Sequence, residues 1–152
     1  PANPRSRPRP GSLIPYDMQL RNLTDGVVLA LPDDLLWTDE HAWSPVVANI
    51  SYLLTGALLV QSGTRQAGRP ITLVGAADMA WVRRAVVDTL YGWAADPLAV
   101  DSGRFELTLA DARVFIVALR FGDTAIEAEP VLGFPARSGS DYYRLTLRLM
   151  EI

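Results

Sequence analysis

The sequence predicts a mainly β fold, an antiparallel β-sandwich or split barrel of two packed sheets with one flanking α-helix at residues 78–94. Short apolar segments, several of them alternating with polar residues, are separated by turn-forming Gly, Pro, Asn and Asp. Only one segment has helical periodicity. Because parallel βαβ units need a helix between most strands, a single helix favours antiparallel sheets.

The segments before the helix follow turn signals. The sequence DMQLRNL (17–23) is joined to VVLAL (27–31) through Thr-Asp-Gly, which predicts a hairpin. The apolar run ANISYLLTGALLVQSG (48–63) has no helix caps, and Thr55-Gly56 in its middle predicts a bend or bulge within a strand. The segment ITLVGA (71–76) is typical of a buried strand.

The helix is predicted from apolar residues that recur at spacings of three and four. These residues are Met79, Val82, Val86, Leu90 and Trp93. Asp78 suits the N-cap position. Gly92 and then Pro97 indicate where the helix ends.

Strands return after the helix. The segments RFELTLA (104–110) and RVFIVALR (113–120) flank an Asp-Ala turn, which predicts a second hairpin, and AIEAEPVL (125–132) is another extended segment. The last segment, YYRLTLRLMEI (142–152), alternates cleanly and indicates a half-buried antiparallel strand. One face has Tyr143, Leu145, Leu147 and Leu149, and the other has Arg144, Thr146 and Arg148.

Composition divides the chain into two parts. Residues 1–11, PANPRSRPRPG, contain four prolines and Arg5, Arg7 and Arg9 with almost nothing apolar, so they cannot build a core. We predict an extended N-terminal arm at 1–11 and one domain at 12–152. The arm is either a solvated tail or a candidate assembly arm that orders on a neighbouring subunit or an acidic surface.

Charge and cysteine content exclude several functions. The net charge of −3 argues against nucleic-acid binding by the domain, and the absence of cysteine excludes disulfides, thiol catalysis and Cys-ligated zinc. No apolar run approaches the roughly 20 residues that cross a bilayer, and no apolar signal region is visible, so we expect no membrane contact and an intracellular site of assembly.

The stretch LPDDLLWTDEHAW (31–43) is the main candidate for chemistry. It contains the only histidine, His41, and four acids: Asp33, Asp34, Asp39 and Glu40. A single histidine with no nucleophile motif does not make a catalytic triad, and the acids match no EF-hand spacing. We therefore predict no catalysis, no cofactor and no metal. Leu35, Leu36, Trp37 and Trp43 are expected to be buried anchors, with the acids on the wet side.

Binding or assembly remains. Arg144 and Arg148 on the last strand carry the charge opposite to the acid cluster at 33–40. Rings of identical subunits join one patch to a complementary patch on the next copy, and arginine pairs with carboxylates in defined geometry. These six side chains are therefore candidate subunit-interface residues. The alternative is that they only keep both faces soluble.

Three segments, LPDDLLWTDEHAWSPV, TGALLVQSGTRQAGRPITL and YYRLTLRLMEI, resemble small tail proteins of tailed bacteriophages. The resemblance covers residues 17–152 and implies a virion structural protein near the baseplate or tail tip, with a tail-tube type of fold and no catalytic residues. It also implies a six-fold ring of copies that joins the tail tube to baseplate or sheath proteins, in a virion assembled in the host cytoplasm. The alternatives are an intracellular β-sandwich binding module and a small metal-dependent enzyme using the four acids.

Overall fold

The structure, a computed structural model, describes residues 17–97, 103–122, 124–133 and 137–152. Within these ranges the elements in chain order are β1 (Gln19–Asn22), β2 (Val28–Ala30), β3 (Leu36–Trp37), β4 (Val46–Tyr52), β5 (Leu58–Thr64), β6 (Pro70–Val74), β7 (Trp81–Arg83), α1 (Arg84–Ala94), β8 (Phe105–Thr108), β9 (Val114–Leu119), β10 (Ile126–Pro130) and β11 (Tyr142–Glu151).

Strand β11 organises the large sheet. It is ten residues long and pairs antiparallel with β10 and β9 along one edge and with β7 and β6 along the other. Strands β8, β1 and β2 extend the sheet beyond β9, and β3 extends it beyond β6. In the described ranges these pairings make one nine-stranded antiparallel sheet, and β4 with β5 make a separate two-stranded sheet.

The large sheet curls around the core. Trp37 on β3 meets Phe115 on β9 edge to face with ring centroids 5.5 Å apart, although β11 and β6 lie between these strands in the order of the sheet. The alternation of β11 sends Tyr143, Leu145, Leu147 and Leu149 into this core, as predicted. The largest fully buried side chains are Phe105, Leu20, Ile71, Leu73, Leu90, Leu107, Leu145, Leu147, Leu149 and Val117.

Helix α1 packs against the core on one side. Val87 and Leu90 are its buried residues, and Trp93 contacts the ring of Phe105 with centroids 5.3 Å apart. The Tyr91 hydroxyl donates to the carbonyl of Ile126 on β10 at 3.0 Å. These contacts attach the helix to the sheet through both apolar packing and a hydrogen bond.

The predicted fold class is confirmed. The described part of the chain is mainly β, with two antiparallel sheets and one helix. Both predicted hairpins are present, as β1–β2 and β8–β9. Ala112 in the second turn has a positive φ of 69°, and its N–H bonds to the Leu109 carbonyl at 2.9 Å.

The predicted start of the helix was wrong. The helix begins at Arg84, with Arg83 as the N-cap residue, rather than near Asp78. Residues 81–83 instead form β7, which pairs with residues 142–144 of β11. Val82 fits the helical period because a strand residue that faces the core is also apolar, so the period alone could not place the boundary.

The predicted bent strand at 48–63 was also wrong, because this run folds into the hairpin β4–β5. The chain reverses at Leu53–Ala57, where the N–H of Leu53 bonds to the Ala57 carbonyl at 2.9 Å. Gly56 has a φ of +82°, which glycine adopts without steric cost. Two apolar runs joined by a Gly-containing turn form a hairpin when the runs pair with each other as strands.

Replacing Leu147 by Ala tests the role of β11. Leu147 is 0% exposed at the centre of the sheet, so Leu147→Ala should lower the free energy of unfolding by about 2–5 kcal/mol. Leu54→Ala is the matched control, because Leu54 at the hairpin tip is fully exposed and its loss should change stability by less than about 0.5 kcal/mol. Urea unfolding of dilute monomer measures both, and equal losses would contradict this account.

Candidate assembly surface

The hairpin β4–β5 lies outside the core. All fourteen of its strand residues are exposed, and seven residues per strand make it roughly 23 Å long. No charged residue stands between His41 and Arg65, so the whole hairpin is uncharged. An uncharged, fully exposed two-stranded sheet is unusual, because such ribbons are marginally stable in water without packing partners.

The two faces of the hairpin differ. In the register that pairs Ile50 with Val60, one face is apolar apart from Ser62 and Thr64 at its base. Its apolar residues are Val46, Ala48, Ile50, Tyr52, Leu58 and Val60. The opposite face contains Asn49, Ser51 and Gln61, with Val47 and Leu59. Leu53 and Leu54 continue the apolar character at the tip, where Leu53 is 49% exposed.

A second exposed apolar patch lies on the outer face of the large sheet. It consists of Val114, Ile116 and Ile152, all exposed. Ile152 follows β11 and donates its N–H to the carbonyl of Ile116 at 3.1 Å, so the two side chains are neighbours. We call these three residues the β9 patch. It lies at the end of β11 near which the hairpin joins the sheet, since Gly68 and Arg69 bond to the backbone of Glu151.

Two of the four predicted interface acids make structural hydrogen bonds. Asp39 accepts from the backbone N–H of Thr72 at 2.9 Å and from its hydroxyl at 2.8 Å. Asp34 accepts from the backbone N–H of Ala80 at 3.0 Å, where Ala80 has a positive φ of 58°. These carboxylates tie the 31–43 stretch to β6 and to the start of β7.

Glu40 joins an arginine and tryptophan cluster. Its carboxylate pairs with Arg113 at 2.6 Å, and its backbone carbonyl accepts from Arg69 at 2.9 Å. The guanidinium carbons of Arg69 and Arg113 lie 4.6 and 5.4 Å from the centre of the Trp37 ring, within the range of cation–π attraction. The hydrogen bond that Arg113 donates to the Glu40 carboxylate raises the pKa of Arg113 above its ordinary value. The side chain of His41 is 93% exposed.

Asp33 is the remaining acid of the stretch. Partial burial raises the pKa of its carboxyl, and the nearby negative charges of Asp17 and Asp34 raise it further. The predicted anchors behave unequally: Leu35 is buried and Trp37 packs against the core, whereas Leu36 is 48% exposed. The prediction of a buried Leu36 was wrong because β3 is an edge strand, and its pairing with β6 turns Leu36 outward beside Val74.

Arg144 and Arg148 have partners in the same chain. Arg144 pairs with Glu129 at 2.8 Å, and Arg148 pairs with Glu127 at 2.6 Å and donates to the Thr124 carbonyl at 2.7 Å. Glu127, Glu129 and Arg144 line a groove of about 310 Å³ on the surface of β10 and β11. The acids that meet these arginines therefore come from β10, not from the 33–40 cluster. Their role at a subunit interface stays a prediction.

The remaining predictions concern the N-terminal arm, metal binding and membrane contact. The arm, with Arg5, Arg7 and Arg9, lies outside the described residues. Among the residues that are described, no three or more acidic, histidine or cysteine side chains are grouped so that they could hold a metal ion. In the same residues no helix has the length and apolar character needed to span a bilayer.

The sequence analysis missed the hairpin as a surface. Two signals in the sequence point to it: the long stretch between His41 and Arg65 without a charge, and the Gly56 turn that divides it into two runs of equal length. Only residues 48–52 alternate, and their polar positions hold Asn49 and Ser51 rather than charged residues. Residues 57–60 are apolar without interruption. This pattern is weaker than the charged alternation of β11, so the two strands were not predicted separately.

Removing the Asp39 carboxylate should destabilise the fold. Asp39→Ala leaves the Thr72 N–H and hydroxyl without their acceptor, and we expect a loss of about 1–3 kcal/mol in unfolding free energy. His41→Ala, two residues away and highly exposed, should leave it unchanged. Thermal or urea unfolding measures both, and a stable Asp39→Ala protein would show that the carboxylate is a free surface group.

Asp33 should make stability depend on pH. Its pKa is raised above the ordinary value of about 3.8 for an aspartate carboxyl, so the folded protein holds this proton more tightly than the unfolded chain does. Stability therefore falls as the pH rises from about 3.8 through the raised pKa, and is constant above it. Asp33→Asn should be more stable than the wild type at pH 7, and this gain should shrink at pH 3.

Urea unfolding at the two pH values measures this effect. Asp78→Asn removes the same charge from another exposed position and controls for net charge. A gain that is equal at pH 3 and pH 7 would contradict the assignment to Asp33 ionisation.

Comparison with known proteins gives no assignment for this chain. No protein-family model matches the sequence, and neither the curated proteins nor the solved structures contain a significant match. No residue role is therefore transferred from a relative. What the chain does has to be argued from the exposed hairpin, the β9 patch and the internal pairing of the charged residues.

Proposed function

We propose that this chain is a structural subunit that assembles with copies of itself into a ring, in the tail or baseplate of a tailed bacteriophage. The proposal rests mainly on one observation: the β4–β5 hairpin exposes an apolar, uncharged face that contacts no core. The proposal includes no catalytic step, and its partners are other copies of the chain and neighbouring tail proteins.

The apolar face of the hairpin gives a strong reason for association. Fully burying a Val, Leu or Ile side chain contributes about 1.5–3 kcal/mol, and Val46, Ile50, Leu58 and Val60 are all more than half exposed. Contiguous apolar surface with no charge is typical of interaction sites rather than of free monomer surface. Covering this face would stabilise both the contact and the hairpin itself.

The backbone of the hairpin supports the same conclusion. Strands β4 and β5 pair only with each other in the described structure, so each has an outer edge that no other strand covers. At the base of β4 the hydroxyl of Ser44 bonds to the N–H and the carbonyl of Val46. Unprotected edges pair readily with strands of another chain, and native proteins commonly block them with charges, bulges or proline. The strand residues 46–52 and 58–64 contain none of the charged or proline blocks.

A ring forms if the hairpin of one copy binds to a different surface of the next copy. The β9 patch is a candidate receiver because it is apolar, exposed and separate from the hairpin in sequence. A contact between two different surfaces repeats from copy to copy, and it closes into a ring when the rotation per copy divides a full turn. The six-fold symmetry and the place in the tail come from the resemblance of the sequence alone.

Polar substitutions on the apolar face should abolish assembly without unfolding the subunit. Ile50→Ser together with Val60→Ser removes a cross-strand pair from that face. We expect at least about tenfold weaker association for each contact, because about 1.4 kcal/mol or more is lost. Size-exclusion chromatography with light scattering measures the assembly, and circular dichroism checks the fold.

The opposite face provides a matched control. Asn49→Ser with Gln61→Ser alters the neighbouring cross-strand pair of the same hairpin but leaves the apolar face intact. This variant should assemble as the wild type does. A wild-type chain that stays monomeric at high concentration, alone and after co-expression with its neighbouring tail proteins, would overturn the ring.

A further inference from the structure

A groove at the start of β11, at the opposite end of that strand from the β4–β5 hairpin, has an aromatic lining. Trp81 on β7 and Tyr142 on β11 stand side by side with ring centroids 6.0 Å apart and planes inclined at 43°. They are 41% and 46% exposed, and Leu132 beside them is 63% exposed. These side chains border a mostly apolar groove of about 190 Å³, whose lining is completed by Val131, Arg137, Ser140 and Asp141.

The two rings are held in place. The indole N–H of Trp81 donates to the Ala77 carbonyl at 3.2 Å, and Arg83 lies 5.8 Å from the centre of the Tyr142 ring. Strand pairing of β7 with β11 fixes both backbones. A fixed pair of exposed aromatic rings loses little entropy on binding, which suits recognition of an extended ligand.

We propose that this groove binds the proline-rich arm, residues 1–11 of the same chain. Aromatic-lined grooves commonly bind proline-rich segments, whose rings pack on the aromatic faces and whose restricted backbone lowers the entropy cost of binding. The arm has prolines at 1, 4, 8 and 10, interleaved with three arginines. The charged groups at the groove are Arg137 and Asp141, and the Asp141 carboxylate already accepts from the N–H and the hydroxyl of Ser138, so the aromatic lining rather than charge provides the attraction there.

The described chain begins close enough to the groove for this contact. The carbonyl of Met18 accepts from the N–H of Leu31 at 2.8 Å, and three residues later Asp34 bonds to Ala80, next to Trp81. These links place Met18 within about 25 Å of Trp81. Pro10 lies seven residues before Asp17, and seven residues span up to about 24 Å. Earlier residues of the arm reach further.

The charges along this path also favour the arm. Asp17, Asp33 and Asp34 lie between the start of the described chain and the groove, and they are close enough for Asp17 and Asp34 to affect the ionisation of Asp33. Arginines that pass these acids gain attraction at each step, although exposed pairs contribute little individually. The inference does not depend on the proposed ring, because the arm binds within one copy.

Paramagnetic broadening in the full chain tests the contact. The sequence has no cysteine, so Ser6→Cys creates a single site for a nitroxide label on the arm. We expect the indole N–H signal of Trp81 and the amide signals of Leu132 and Tyr142 to lose most of their intensity, which returns when the label is reduced. Unchanged intensity at all three would overturn the proposal.

Two variants of the labelled chain separate specific binding from mere tethering. Replacing Pro4, Pro8 and Pro10 by Gly keeps the length, the label and the arginines, and should restore the Trp81 signal. Leu132→Asn alters only the groove and should also weaken the broadening at Trp81. Broadening that persists in both variants would show that the label visits the groove without recognition, and would overturn the proposal.

A mixed sample identifies the copy that supplies the arm. Isotope-labelled wild type is combined with spin-labelled chain that carries no isotope, at a concentration where light scattering finds monomer. We expect no broadening in this sample. Broadening only in the mixed sample would place the arm on a neighbouring copy and overturn the assignment to the same chain. The ring is tested separately by the assembly measurements at high concentration, so a chain that fails to form a ring but binds its own arm would leave this inference intact.

Discussion

Strand β11 pairs along both of its edges, and the arrangement of the described chain depends on that double pairing. Two strands from different parts of the sequence share each edge, β10 with β9 and β7 with β6. A strand so enclosed must bury one face, and the alternation from Tyr143 to Leu149 supplies that face.

The same pairing explains local features elsewhere. Gly75 lies where β6 leaves β11, and its N–H bonds to the Leu145 carbonyl. A Cβ at Gly75 would lie 3.0 Å from that carbonyl oxygen, so the close passage from β6 to β7 requires a small residue.

The charged residues are used mainly within the fold. Asp39 and Asp34 bind backbone N–H groups, and Glu40 holds Arg113 beside the Trp37 ring. Such contacts fix the long connection between β2 and β4, which has little regular structure of its own. Hydrogen bonds that charged carboxylates accept are stronger than neutral ones, so a few of them can hold this connection. The acids stand close together in the sequence, as in an active site. In the structure Asp34, Asp39 and Glu40 instead make separate contacts that hold this connection in place.

The hairpin β4–β5 contrasts with the rest of the chain. Along β11 apolar residues face the core and polar residues face away from it, whereas the apolar face of the hairpin is open. The absence of charge between His41 and Arg65 means that no long polar side chain shields it. Assembly would bury one face of the hairpin and pair one of its edges. An isolated two-stranded sheet lacks both of these stabilising contacts. In the proposed assembly the hairpin would contact the partner, and the large sheet would hold the hairpin in position.

The sequence by itself determined the class of the fold, the two hairpins β1–β2 and β8–β9, and the buried face of β11. These features depend on contacts between near neighbours or on simple alternation, which a linear pattern records. Tertiary structure decided where the helix starts, because β11 binds residues 81–83 as a strand, and it decided that 46–64 folds back on itself. It also decided the partners of the charges: Arg144 and Arg148 meet Glu129 and Glu127 across a strand pair. Long-range pairing of this kind depends on which segments meet in space, and composition and periodicity contain no record of that.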